Sequence, residues 1–218
     1  MLSPVIGLLL LLAACTGSSA AGRVDYANAV KYLQGVSVVQ DQEKGMALLK
    51  KASDARNPEA ELMLGFFLMK GEGGVTADPK AGMKLFLDAA KQGNRDAQYN
   101  AGLAYIRAQG VEEDHQEALR WFTAAALQDD VGAQYNLGVM HLNGEGTVKS
   151  ALTAYAWFSI AEANGYEGAK EGKDSARRDM TSDEAAQASS MIEKLKQQII
   201  RPLPSAAVEV QTLPDQPL

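Results

Sequence analysis

The residues that could carry out chemistry are few in this sequence, and their spacing does not assemble a reactive set. The 218 residues include two histidines, His115 and His141, and a single cysteine, Cys15. Zinc sites are built mainly from several histidine and cysteine ligands, and no further residue of either type is present to complete one. The sequence also lacks a G-x-S-x-G nucleophile motif. We therefore predict that the protein is not an enzyme and uses no metal or cofactor.

Two other patterns that could carry chemistry have simpler interpretations. The glycine runs at residues 71–75 (GEGGV) and 144–147 (GEGT) lack the lysine that follows the glycines of a phosphate-binding loop. The carboxylate pairs Glu112–Glu113 and Asp129–Asp130 fall between helical patterns. We interpret the glycine runs as turns and the carboxylates as solvated.

The cysteine lies where a lipid could be attached. Residues 5–14 (VIGLLLLLAA) form a ten-residue apolar run, which is too short to span a bilayer but matches the apolar region of an export signal. The sequence Leu12-Ala13-Ala14-Cys15 that ends this run resembles the bacterial lipobox, in which the cysteine is diacylated and becomes the mature N-terminus. We predict a lipoprotein signal peptide at residues 1–14 and a membrane anchor through the lipid on Cys15.

The destination follows from the residue after the cysteine. Thr16 stands there rather than an aspartate, and by resemblance to lipoproteins this suggests the outer membrane, with the protein facing the periplasm. The alternative is an ordinary signal peptide cleaved near Ala21, which would leave a soluble periplasmic or secreted protein.

The charge of the chain bears on its partners. The formal net charge is −6 and the isoelectric point is near 5.0. Nucleic-acid binding depends on neutralising phosphates with lysine and arginine, and the sequence contains no basic cluster. We therefore expect no nucleic-acid partner.

Three stretches of the sequence are versions of one another. They are residues 60–68 (AELMLGFFL), 97–105 (AQYNAGLAY) and 133–141 (AQYNLGVMH), and their first alanines are 37 and 36 residues apart. A self-similar period of this length is typical of a solenoid, in which each unit buries its apolar face against the next.

Each repeat carries the start and stop signals of two helices. A residue that can accept a backbone hydrogen bond precedes each helical pattern, and glycines follow several of them. The predicted N-caps are Asn57, Asp78, Asn94, Asp114, Asp130 and Ser150. The first repeat is the least similar, but Tyr26 and Tyr32 precede Tyr99 and Tyr105 by 73 residues, which is two periods. We predict an all-α, α/α solenoid of about four helix-turn-helix repeats.

Both ends of the array can be placed from the same pattern. After residue 166 the polar Lys173 and Asp174 replace an expected leucine–glycine pair, as suits a terminal helix, and an amphipathic helix then continues to about Ile199. Four of the seven prolines follow, which predicts a disordered tail or, alternatively, a docking peptide. The predicted boundaries are a signal peptide at 1–14, a lipidated tether at 15–22, repeats at 23–166, C-terminal cap helices at 167–200 and a proline-rich tail at 201–218.

The repeat template resembles the Sel1-like repeat family. It consists of A-x-x-x-L-G-x-x-Y, then G-x-G-V-x-x-D, then A-x-x-W-F-x-x-A-A, with a step of 36 residues. The residues that carry the resemblance include Ala133, Leu137, Gly138, Gly110, Val111, Asp114, Ala118, Trp121, Phe122, Ala125 and Ala126. The resemblance implies a solenoid related to tetratricopeptide repeats that serves as an interaction scaffold. Exported bacterial proteins of this kind act in envelope assembly, signalling regulation or host contact.

A binding surface can be proposed if the first helix of each repeat lines the concave face, as in tetratricopeptide repeats. The residues three before and one after the repeated glycine would then point inward, and two asparagines lie beside them. These candidates are Leu62, Phe66, Tyr99, Asn100, Leu103, Tyr135, Asn136 and Val139. An apolar stripe of this kind could bind a peptide or could be core between repeats.

Two functions stay open at this point. The first is a lipid-anchored scaffold that binds protein or peptide partners in the cell envelope. The second is a cell-wall or polysaccharide-associated factor that binds glycan or peptidoglycan, for which Tyr99 and Tyr135 are the aromatic candidates. The oligomeric state is not predicted.

Overall fold

The computed structural model describes residues 19–199, and this part of the chain consists of helices joined by turns. We number the helices α1 (Ala20–Gln34), α2 (Gln42–Asp54), α3 (Pro58–Lys70), α4 (Pro79–Lys91), α5 (Arg95–Ile106), α6 (His115–Leu127), α7 (Val131–Asn143), α8 (Ala151–Ala163), α9 (Ala169–Asp179) and α10 (Ser182–Gln198). No strand occurs between residues 19 and 199, so the predicted all-α class is confirmed. None of the helices in this range combines the length and apolarity needed to cross a membrane.

The helices pack as a stack of hairpins. The most extensive contacts join α1 to α2, α3 to α4, α5 to α6 and α7 to α8, and each hairpin then meets the next through α2–α3, α4–α5 and α6–α7. Helices α9 and α10 both pack on α8 and cover the last hairpin. Because each unit contacts mainly its neighbours, the array is a solenoid, as predicted.

The helices begin where the sequence places their caps. Each predicted cap side chain accepts a hydrogen bond from the backbone N–H three residues later, at 2.7–3.2 Å: Asn57, Asp78, Asn94, Asp114, Asp130 and Ser150. At α10, Thr181 and Glu184 form a reciprocal capping box. Since the first backbone N–H groups of a helix have no partner inside it, these side chains define the helix starts.

The repeated glycine has a packing role inside each hairpin. A Cβ atom added at Gly65, Gly102 or Gly138 would lie 2.6–2.7 Å from the ring of Phe86, Phe122 or Phe158, respectively. No real side chain fits at that distance, so glycine is needed for the first helix to approach the second. In each case the ring belongs to the second helix of the same hairpin.

The array begins earlier than the predicted boundary at residue 23. Helix α1 starts at Ala20, and the Ser19 hydroxyl accepts a hydrogen bond from the Gly22 N–H at 3.0 Å. Gly22 is buried, and a Cβ atom there would lie 3.1 Å from the Cβ of Ala55. Residues 20–22 therefore belong to the first hairpin and not to a tether. The predicted signal peptide, Cys15 and the proline-rich tail lie outside the described residues.

The terminal helix α9 keeps a glycine against the core, although not at the expected position. A Cβ atom at Gly172 would lie 2.6 Å from the Phe158 ring, which α7 contacts through Gly138. Gly172 lies 36 residues after Asn136, so it occupies the asparagine position of the repeat. Gly172 therefore lets α9 pack closely on the Phe158 ring, as Gly138 does for α7, although the two glycines occupy different positions in the repeat.

A row of buried polar side chains runs through the first helices and was not anticipated from the sequence. We call it the polar ladder: Asp25, Glu61, Gln98 and Gln134, at spacings of 36, 37 and 36 residues and each at most 8% exposed. Each member meets a polar group from the second helix of its hairpin or from the residue that ends it: Lys51, Gln92, Gln128 or Asn164, at 2.6–3.2 Å. Buried polar groups need such partners, so each ladder residue joins the two helices of its own hairpin.

Candidate protein-binding cleft

The eight candidate binding residues lie on three first helices, as the repeat predicts. Leu62 and Phe66 are on α3, three more are on α5, and three are on α7. All are half-buried except Phe66, whose side chain is 38% exposed. The eight residues are therefore neither fully core nor fully surface. Their contacts differ between the position three before the repeated glycine and the position one after it.

The position three before the glycine is mainly a contact between repeats. The Tyr99 ring lies 5.8 Å from the Phe122 ring, and a Cβ atom at Gly132 of the next hairpin would lie 2.9 Å from it. The Asn136 side chain on α7 also interacts with the Tyr99 hydroxyl. Burial is the main reason why the pKa of this phenol is raised, and the Asn136 side chain opposes that rise. Tyr99 therefore joins two hairpins.

Tyr135 is engaged in the same way one repeat later. Its ring stacks on Tyr166 at 4.4 Å and lies 5.5 Å from Phe158. One face of the ring is thus already covered by protein. In the third case, Leu62 packs against the core formed by α4, α5 and α6. The alternative of inter-repeat core describes these three positions better than an open stripe does.

The position one after the glycine behaves differently at α3. Phe66 packs edge-on against Phe86, with ring centroids 5.0 Å apart, and faces a cleft between α3 and α5. Leu103 and Asn100 line the same cleft, whose volume is about 490 Å³. Three of the eight predicted residues therefore meet in one cavity. We call this cavity the α3–α5 cleft.

Asn100 lies at the edge of the cleft with part of its amide already used. Its Nδ2 donates a hydrogen bond to the Asp96 carbonyl, one turn earlier in α5, at 2.7 Å. An amide group has a second N–H and a carbonyl acceptor. Asn100 can therefore contribute a polar contact to a bound chain without leaving its local hydrogen bond.

The cleft contains residues that the sequence reasoning missed. Met69 and Phe86 extend its apolar lining, and Lys70 and Arg107 supply its charge. Lys70 and Arg107 are 37 residues apart, which is one repeat, so they occupy equivalent positions at the ends of α3 and α5. This equivalence of position was visible in the sequence and could have identified the two cations. Among the described residues, no aspartate or glutamate lines the cleft.

The histidines have structural surroundings. His115 lies 2.8 Å from the Glu113 carboxylate near the surface, and burial lowers the pKa of His141, so that imidazole is neutral at pH 7. Within residues 19–199 no group of three histidine, cysteine, aspartate or glutamate residues is placed to hold a metal ion.

Comparison with known proteins identifies the repeat. The family model described as the Sel1 repeat matches four consecutive segments, at residues 25–57, 58–94, 95–130 and 131–166. The last three segments coincide with the α3–α4, α5–α6 and α7–α8 hairpins, and the first covers the α1–α2 hairpin from residue 25 onward. No curated protein matches the sequence.

Solved structures show the same architecture. A Sel1 repeat protein from Oxalobacter formigenes is 31% identical with a TM-score of 0.65, over 75% of this chain and 47% of that one. The protective antigen c5321 of uropathogenic Escherichia coli strains, which displays an SLR fold, is 21% identical with a TM-score of 0.55, over 82% of this chain and 46% of that one. The chain thus spans about half the length of these two proteins, and the second likeness concerns the fold alone.

Proposed function

This chain belongs to the Sel1 repeat family, and on that basis we propose that it is a lipid-anchored scaffold that binds protein partners at the cell envelope. Sel1 repeats mediate protein–protein interactions, and the four matched repeats make up most of the described structure. The anchoring part of the proposal comes from the lipobox-like sequence ending at Cys15. The binding part comes from the first-helix face.

The observation that carries the binding proposal is the α3–α5 cleft. A volume of about 490 Å³ lies within the range of sites that hold small ligands or short peptide segments. Its lining combines aromatic and aliphatic side chains with a few polar groups, which is the usual composition of a recognition site. Elsewhere on this face, Tyr99 is occupied by contacts with the next hairpin and Tyr135 by contacts with Phe158 and Tyr166, so we assign the partner to the cleft.

Crosslinking in the cells that produce the protein tests the binding proposal. A photoreactive amino acid in place of Asn100 should capture a discrete protein on illumination. The same amino acid in place of Lys84, an exposed residue on the second helix α4, is the matched control and should not capture it. The band from position 100 should also weaken when Phe66→Asp is added. Absence of any protein adduct at position 100 would refute a protein partner at this cleft.

The anchor is tested separately. Cys15→Ser should abolish labelling by a fatty-acid probe and move the protein from the membrane fraction to the soluble fraction, because a lipidated cysteine is the only anchor proposed. Thr16→Ser, beside it, should leave both readouts unchanged. Continued labelling of the Cys15→Ser variant would show that the lipobox interpretation is wrong.

A further inference from the structure

We propose that the α3–α5 cleft recognises an acidic segment of its protein partner, with an apolar side chain on the aromatic floor and carboxylates against Lys70 and Arg107. This inference rests on the proposed scaffold function and specifies the chemistry of the partner. It follows from the lining of the cleft, from its charge and from comparison with the equivalent positions of the other repeats.

The floor of the cleft suits an apolar anchor residue. Phe66 and Phe86 form an edge-to-face pair, and Leu103 faces them from α5. Phe66 is one of few large apolar side chains in the described structure that is more than a third exposed. Burying such surface is favourable by about 25 cal/mol per Å², so a leucine or phenylalanine of the partner would be stabilised here.

The charge of the cleft opposes that of the whole protein. The chain has a net charge of −6, yet Lys70 and Arg107 are the charged residues that line this cavity. Lys70 reaches Glu72 only at 3.9 Å, with both side chains about 60% exposed, so that pair neutralises it weakly. Within residues 19–199, the guanidinium of Arg107 has no ion pair. Both cations are therefore available to carboxylates of a ligand.

The pair of cations is confined to one step of the array. The residues equivalent to Lys70 and Arg107 in the next two first helices are Asn143 and Asp179. The Asp179 carboxylate is already paired with Lys149 at 3.1 Å. A cation at a helix C-terminus also favours the helix dipole, and α9 has Arg177 and Arg178 in its last turn, but neither occupies the repeat position of Lys70 and Arg107. Two cations converge only where the exposed phenylalanine lies.

A peptide is the ligand that fits both features together. A small anion would meet the two cations but leave the apolar floor exposed to water. An extended or helical segment of a partner can present an apolar side chain and carboxylates at the same time. Because the cations are at the rim, we expect them to contribute through charge attraction that salt screens.

The experiment measures fluorescence anisotropy of a labelled probe peptide with the mature protein, purified in a non-ionic detergent from the cells that produce it. The probe is an acetylated and amidated dodecapeptide with a central Leu-Phe pair flanked by glutamates. Matched probes carry glutamine or lysine in place of every glutamate. At low salt we expect the glutamate probe to bind at least tenfold more tightly than the glutamine probe, with the difference shrinking as salt is added.

Variants then locate the site. Arg107→Glu and Lys70→Glu should each weaken the glutamate probe at least fivefold, and the double variant should prefer the lysine probe. Phe66→Ala should weaken the glutamate and glutamine probes alike. Lys84→Glu, on the exposed side of α4, makes the same change in net charge and should have no effect beyond twofold. Circular dichroism and melting curves confirm that each variant is folded.

The outcomes separate this inference from the scaffold proposal. Equal binding of the glutamate and glutamine probes, or unchanged affinity in folded Arg107→Glu, would overturn the acidic specificity while a protein adduct at position 100 still supported the scaffold. Full competition by inorganic phosphate would indicate a general anion site and would also overturn it. No adduct at position 100 would instead remove the scaffold proposal on which the inference rests.

Discussion

The α3–α4 and α7–α8 hairpins share one contact at their centres and differ at both ends of their first helices. In both, a glycine meets a phenylalanine ring, Gly65 with Phe86 and Gly138 with Phe158. At the start of the first helix, the ladder residue is Glu61 in one and Gln134 in the other. At its end, the cation Lys70 corresponds to the neutral Asn143.

This difference separates what maintains the fold from what distinguishes one repeat from another. The central contact is retained because hairpin packing tolerates no side chain there. The two compared positions carry ionisable groups in the α3–α4 hairpin, Glu61 and Lys70, and neutral amides in the α7–α8 hairpin, Gln134 and Asn143. The charged hairpin is also the one that contributes Phe66 and Lys70 to the cleft. Function and pH dependence are therefore expected at the ends, and stability at the centre.

The largest effect is expected at the shared centre. Gly138→Leu and Gly65→Leu should each lower the free energy of unfolding by about 3 kcal/mol, because the added side chain has no room beside the phenylalanine ring. For a protein of this size that corresponds to roughly 6–12 °C in melting temperature. Gly168→Ala is the control, since its Cβ would meet ordinary contacts at 3.5–3.9 Å. If only one of the two leucine variants were destabilised, the centres would not be equivalent.

The second effect concerns the ladder. Burial, followed by the charge of Asp88, raises the pKa of Glu61 from 4.5 to about 7, against the opposing charge of Arg56 and the hydrogen bond from Gln92. The native protein therefore holds this proton more tightly than the unfolded chain does. Its contribution to stability is fully present below pH 4.5 and is lost as the pH rises through about 7. The shift corresponds to about 3 kcal/mol at most.

Glu61→Gln places in the second repeat the residue that Gln98 and Gln134 place in the third and fourth. We expect this variant to be more stable than the parent at pH 8, by up to about 3 kcal/mol, and to lose that advantage at pH 4. Urea unfolding at both pH values measures the difference. Glu59→Gln, an exposed glutamate on the same helix, should leave the pH dependence unchanged. A parallel shift of the two curves at every pH would contradict a buried, titrating Glu61.

The smallest effect concerns the contact of Tyr99 in the third repeat with Asn136 in the fourth repeat. Tyr99→Phe should lower the free energy of unfolding by at most about 1 kcal/mol, because the interaction of its hydroxyl with the Asn136 side chain is lost while the ring contacts remain. Tyr135→Phe is the matched control, since its ring stacks on Tyr166 and its hydroxyl has no hydrogen-bond partner among residues 19–199. Equal losses in the two variants would show that the hydroxyl of Tyr99 does not join the hairpins.

The architecture was predictable because it depends on features that recur. Caps such as Asn57 and Asp130 act locally, and the period of the glycines fixes the stacking, so one sequence sufficed for the helices and their order. The predicted binding residues were chosen by their position in the shared repeat, which is why Tyr99 and Tyr135 were included although their rings are engaged by neighbouring residues. The template did select Phe66, but not the cations Lys70 and Arg107, whose position is occupied by the neutral Asn143 in the fourth repeat.

The ladder and Gly172 were missed for a related reason. Glu61 and Gln98 differ in charge, so their equivalence is visible only when burial and partners are known. Gly172 stands two residues before the expected glycine position. Only the packing of α9 on Phe158 shows that Gly172 allows the same close helix contact as Gly138. The position of a residue in the repeat does not by itself reveal which neighbouring side chains it contacts.

The ladder has a mechanical consequence. Gln98 and Gln134, near the starts of their first helices, donate hydrogen bonds to Ala90 and Ala126 at the end of the preceding hairpin. Successive hairpins are thus tied together along that edge, whereas the α3–α5 cleft lies at the opposite ends of the first helices. The cleft side is packed as well, because a Cβ atom at Gly110 would overlap the Pro79 carbonyl oxygen. The two hairpins that line the cleft are therefore held to each other both at the ladder edge and beside the cleft.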